Sequence, residues 1–261
     1  MIAVADPASR VRQLFVRAAI AAGALTFVVI VASAFIRHAQ QASETAGVAI
    51  PALSVRLARI GHRISAAGVL ALIVGLNLIA WTQRPRWTTE GALAATAFAF
   101  TAGLAALGIA TPGSRVTAVT LGNLLGGHLL FMTLAATAAV ATEGSAPHKT
   151  LSRTLAFAGA ALVLFDAALA PWSEVASLQV LHRIAGIAVA AIAGVVAWRL
   201  RMDARRLAGS LALLAFATPS AGIIVALGPS IRAAIVHNAC SALLGATLAV
   251  AAARPRRDSP S

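Results

Sequence analysis

Long apolar runs alternate along this chain with short clusters of arginine, proline and glycine, and the alternation occurs eight times. Each run holds about 20 residues, enough for an α-helix to cross roughly 30 Å of hydrocarbon. The pattern predicts helices over residues 16–36, 60–81, 92–110, 119–141, 153–171, 178–198, 207–227 and 232–253. The first run is not expected to be a cleaved leader, because its apolar stretch does not run into a small-residue cleavage site.

Composition turns this pattern into a fold class. The chain is 59% hydrophobic and 11% charged with a mean hydropathy of +0.86, too apolar for a soluble globular domain. The expected fold is an all-α integral membrane protein with eight transmembrane helices.

Charge then orients it. Of the 21 basic residues, 14 fall at one set of helix ends, among them Arg10, Arg12, Arg17, Arg84, Arg153 and Arg199. The other seven, Arg37, Arg56, Arg59, Arg63, Arg115, Arg183 and Arg232, fall at the opposite ends. The positive-inside rule places the richer side, and with it both termini, in the cytoplasm. The net charge of +13 is expected to anchor the protein to anionic lipid. Nucleic acid is not an expected partner, since no aromatic platform or soluble basic face accompanies the charge. The single Cys240 lies within the last apolar run, so no intrachain disulfide or thiolate cluster forms.

Two halves of the chain resemble one another. His62-Arg63-Ile64 begins the second run and His182-Arg183-Ile184 the sixth. Short loops containing Pro112, Gly113 and Arg115, and then Gly228, Pro229 and Arg232, precede the fourth and eighth runs. The third and seventh runs share a Gly-Ile pair, Gly108-Ile109 and Gly222-Ile223, and Arg17 and Arg153 open the first and fifth. Four helices per half is an even number, so the halves repeat in parallel about an axis along the membrane normal. The expected division is 1–145, an amino-terminal four-helix bundle, and 146–261, a carboxy-terminal one.

Each half carries two histidines in apolar helices: His62 and His128, then His182 and His237. Imidazoles within hydrocarbon mark function when they recur at duplicated positions. The orientation puts all four in the outer half of the membrane. Bare copper or zinc favours thiolates, carboxylates or a tighter histidine cluster. Haem iron needs only one or two axial imidazoles in an apolar pocket, which makes the four histidines candidate haem ligands. Arg63 and Arg183 follow the first histidine of each pair, where they either form charge-assisted pairs with haem propionates or snorkel to the headgroups.

On His62-Arg63, His128, His182-Arg183 and His237 the chain resembles the haem A synthase family, over roughly residues 12–253. Phe35-Ile36-Arg37, Leu107-Gly108-Ile109, Gly222-Ile223 and the Pro229 loop extend the likeness. The resemblance implies two four-helix bundles, with substrate haem O between His62 and His128 and a haem b between His182 and His237. It implies oxidation of the methyl group on carbon 8 of haem O to the formyl group of haem A, in a bacterial or organellar inner membrane. The chain departs from the family at two places. Arg59 stands where the family has a glutamate implicated in catalysis, and residues 37–56 lack the cysteine pair many bacterial members carry. Asp166 and Glu174 are the nearest other carboxylates, both on the second half's side. The alternative is a non-catalytic haem b protein on the same scaffold, an electron-transfer or accessory subunit of a respiratory complex, with a redox donor or complex subunits as partners. A transporter, the third class, calls for discontinuous helices, whereas these runs look continuous.

Overall fold

The computed structural model describes residues 7–45, 50–111, 116–142, 150–172, 175–228 and 230–253. The expected boundary at 145/146, the loop residues Pro112, Gly113, Arg115, Glu174 and Pro229, and His148 lie outside the described residues. All eight expected helices form: α1 (Pro7–Thr45), α2 (Ala52–Thr82), α3 (Thr88–Ala110), α4 (Thr117–Ala141), α5 (Thr150–Leu169), α6 (Ala176–Leu200), α7 (Arg205–Leu227) and α8 (Ile231–Ala253). A single 3₁₀ turn, Ala170–Trp172, extends α5. Among the described residues, eight helices are long and apolar enough to cross a membrane.

Helices suit such a sequence because each pairs its own backbone groups, leaving only side chains for lipid. Embedded hydroxyls follow the same logic. Thr26 donates to the Ala22 carbonyl at 2.8 Å, Thr137 to Thr133 at 2.7 Å and Thr218 to Leu214 at 2.8 Å, each one turn back. Large apolar side chains face outward, with Ile109 81%, Phe216 74% and Leu227 82% exposed, as expected of a surface solvated by acyl chains.

The first two helices are longer than the apolar runs. α1 has 39 residues, and at 1.5 Å per residue it is about 58 Å long, well beyond the hydrocarbon. α2 has 31 residues, about 46 Å. The stretch 37–56, expected to be an outer loop, is thus mostly helix. Alanine, glutamine, glutamate and arginine there are good helix formers, so the helices continue past the apolar runs.

Packing falls into two similar sets. α1 packs on α2 and α4, α2 on α3, and α3 on α4; likewise α5 packs on α6 and α8, α6 on α7, and α7 on α8. One core gathers Phe15, Ile73, Leu76, Ala97 and Leu134 from α1 to α4. Another gathers Val163, Val189, Val196, Leu211, Leu244 and Leu248 from α5 to α8, with Met132 of α4 joining it. Ile30, Phe131, Ala242 and Ala246 knit α1, α4 and α8 together between them. Gly245 sets the closeness of that seam, since a Cβ there would overlap Met132 Cε and lie 3.2 Å from Val163 Cγ1.

The two sets also close alike at one end. Arg12 Nε donates to the Ala141 carbonyl at 2.9 Å, and Arg153 Nε to the Ala252 carbonyl at 2.7 Å. Each ties the first helix of its set to the final turn of the last. By this bond the counterpart of Arg153 is Arg12, not Arg17, which is exposed. Arg12 goes further: its guanidinium lies 3.0 Å from Glu90 Oε1 and 5.1 Å from the Trp87 ring centre. Glu90 is only 8% exposed, so this pair anchors α3 as well.

Candidate functional site

His182 and His237 come together. Each lies in the second turn of its helix, α6 and α8, and the ring centres are 6.2 Å apart with planes at 84°. α6 packs on α5 and α7, and the two imidazoles meet across the diagonal of the second set.

Both rings are held from behind by their Nδ1 atoms. His182 Nδ1 is 3.1 Å from the backbone carbonyl of Asp166 and 2.8 Å from its carboxylate Oδ1. The ring N–H is aimed at the carbonyl, so Oδ1 is close without a well-directed hydrogen bond of its own. His237 Nδ1 is 3.0 Å from the Thr218 carbonyl. A helical carbonyl keeps a second lone pair for such a donor. Gly222, one turn after Thr218, makes room, since a Cβ there would sit 3.2 Å from His237 Cε1.

With both Nδ1 atoms engaged as donors, each ring presents Nε2 as a free lone pair. That is how metal-binding histidines are oriented. Two metal–nitrogen bonds of about 2 Å, with a little over 1 Å from each nitrogen to its ring centre, put facing imidazoles roughly 6 Å apart. The observed ring-centre separation of 6.2 Å is of that size. Two imidazoles would be enough to hold a haem, whose macrocycle would supply the other donors, so the donor set fits haem.

The other pair is arranged differently. His128 is 2% exposed and its Nδ1 lies 2.9 Å from the Leu124 carbonyl of its own helix, while its Nε2 is buried without a hydrogen bond. His62 is half-buried and makes no hydrogen bond with the described residues, nor do the rings of His62 and His128 touch. Gly108, aligned with Gly222 by sequence, has open space where a Cβ would go. Counting from Arg12, the counterpart of Asp166 is Leu25, which packs against Gly68 instead of an imidazole.

Arg63 and Arg183 are exposed beside their histidines, where a propionate or a headgroup would reach them. Arg59 is exposed as well. Asp166, a buried carboxylate in an apolar helix, stands beside His182. Sequence reasoning missed the Thr218 carbonyl, which no side-chain pattern announces. It also missed Asn238, whose Oδ1 accepts from Arg37 at 3.5 Å and whose Nδ2 lies 3.5 Å from His38 Nε2. These contacts tie the carboxy-terminal part of α1 to the residue after His237. The cavity of about 550 Å³ between α1, α4 and α8, lined by Gly23, Phe27, Phe131, Ala135 and Leu243, is apolar and touches none of the four histidines.

No family model, curated protein or solved structure matches the chain.

Proposed function

We propose that this chain is a membrane haemoprotein of the haem A synthase kind, with a resident haem b between His182 and His237. The observation carrying the proposal is the ring pair 6.2 Å apart with both Nδ1 atoms anchored on neighbouring helices. A bound haem supplies one-electron and oxygen chemistry. His182 and His237 would hold the iron, their ring orientations fixed through Asp166 and Thr218, and Arg183 would stand beside the outer edge of the site.

The larger arrangement belongs to the same proposal. The recurring helix contacts and the matching Arg12 and Arg153 bonds support a parallel repeat of two bundles, 1–145 and 146–261. The arginine distribution supports cytoplasmic termini and an outer location for the four histidines, in a bacterial or organellar inner membrane.

In the first bundle, His62 and the free Nε2 of His128 suit a haem that enters and leaves, as a substrate must. That favours conversion of haem O to haem A there. The exposed Arg59, in place of the family glutamate, favours the second reading, a haem b electron-transfer or accessory subunit of a respiratory complex. Co-expression with a source of haem O decides between them. Haem A in the extracted pigment supports the synthase. Unchanged haem O beside protein-bound haem b supports the electron-transfer subunit, and a purified protein without a Soret band removes both.

A further inference from the structure

We infer that the Asp166 carboxylate is a positioning residue that strengthens His182 as an iron ligand and thereby lowers the reduction potential of the haem; the inference rests on the haem reading above. The two histidines differ in what stands behind them. His237 faces a neutral carbonyl, Thr218 O, at 3.0 Å, whereas His182 faces both the Asp166 carbonyl at 3.1 Å and the Asp166 carboxylate at 2.8 Å. Asp166 is 6% exposed, and its Oδ1 has no well-directed hydrogen bond. At the aligned position in the first bundle stands an apolar residue, Leu25, packed against Gly68, so the carboxylate is particular to the second bundle.

The chemistry follows from charge. A carboxylate beside the ring N–H draws that proton and raises electron density at the opposite nitrogen, Nε2. A stronger donor favours ferric over ferrous iron, since the ferric state carries the extra positive charge, and the couple shifts down. The low dielectric of a membrane interior leaves such an interaction little screened. Only a small rotation of the ring moves the N–H from the carbonyl towards Oδ1, because both acceptors already lie within 3.1 Å of Nδ1. Donation to a bound iron would therefore be unequal, with His182 the stronger donor.

The geometry offers a clean test. The backbone carbonyl stays in any Asp166 variant and continues to orient His182, so Asp166→Asn removes charge while keeping shape and one hydrogen bond. Redox titration of the purified haem-loaded protein should show Asp166→Asn raising the midpoint by about 59 mV, a tenfold change in a one-electron equilibrium. Asp166→Glu should restore part of the shift. The near-infrared charge-transfer band of the ferric haem, which reports axial donor strength, should move to longer wavelength in Asp166→Asn. An intact six-coordinate haem with unchanged midpoint and band in Asp166→Asn would overturn the inference and leave the haem site standing. Wild-type protein with no haem would overturn both. Where Asp166→Asn fails to accumulate, the wild-type band decides: at the position of two neutral imidazoles it refutes the inference, and shifted to shorter wavelength it supports it.

Discussion

The two four-helix sets share their packing scheme and their closing arginine bond, yet only one has its histidines locked in place. In the second set, two neighbouring helices each lend an oxygen to a ring, Asp166 of α5 to His182 and Thr218 of α7 to His237. In the first, His128 leans on its own helix and His62 on nothing described. A ring oriented from another helix keeps its direction whether or not a ligand is present, whereas one without such a hold is set by the ligand it meets. Under the proposed haem reading, such preorganisation would separate a site that keeps its cofactor from one that exchanges it.

The largest effect expected from this difference concerns retention of haem. His182→Ala and His237→Ala should each lose most of the haem that purifies with the wild type, measured as haem per protein by the pyridine haemochrome. His62→Ala and His128→Ala should keep it. Equal losses from all four variants would erase the distinction between the halves.

A glycine pair sharpens the comparison. Gly222→Ala puts a methyl 3.2 Å from the His237 ring, tighter than van der Waals contact, and should weaken haem retention about tenfold, near 1.4 kcal/mol. Gly108→Ala meets open space and should stay within about 0.5 kcal/mol of wild type in thermal stability. Titrating apoprotein with haem while following the Soret band measures the first effect, and a similar loss from Gly108→Ala would contradict the asymmetry.

The closing arginines should differ in the opposite sense. Arg12→Ala leaves the buried Glu90 without its cation and should destabilise the first set by roughly 1–3 kcal/mol. Arg153→Ala removes one exposed bond to the Ala252 carbonyl, a loss of about 0.5–1.5 kcal/mol. Thermal unfolding of the two variants in the same detergent gives the order, and a larger fall for Arg153→Ala would be the wrong one.

The eight helices were readable because hydrocarbon imposes one simple rule, a run of about 20 apolar residues per crossing. The extensions of α1 and α2 were not, since a polar helix beyond the membrane has no hydropathy signature and Arg37 to Thr45 read as loop. The histidine positions stood out as polar groups in apolar runs. Their inequality did not, because it depends on a backbone carbonyl at Thr218 and on which face of α5 carries Asp166. The arginine register misled for a similar reason. Arg17 lies nearest the apolar run, but only Arg12 faces the end of α4.

The most direct test is the low-temperature electron paramagnetic resonance spectrum of the purified ferric protein. Two imidazoles on one iron with planes near 84° predict a strongly anisotropic low-spin signal, present in wild type and absent in His182→Ala and His237→Ala. A haem-free protein, or a haem signal untouched by both substitutions, would contradict an iron held between those two rings.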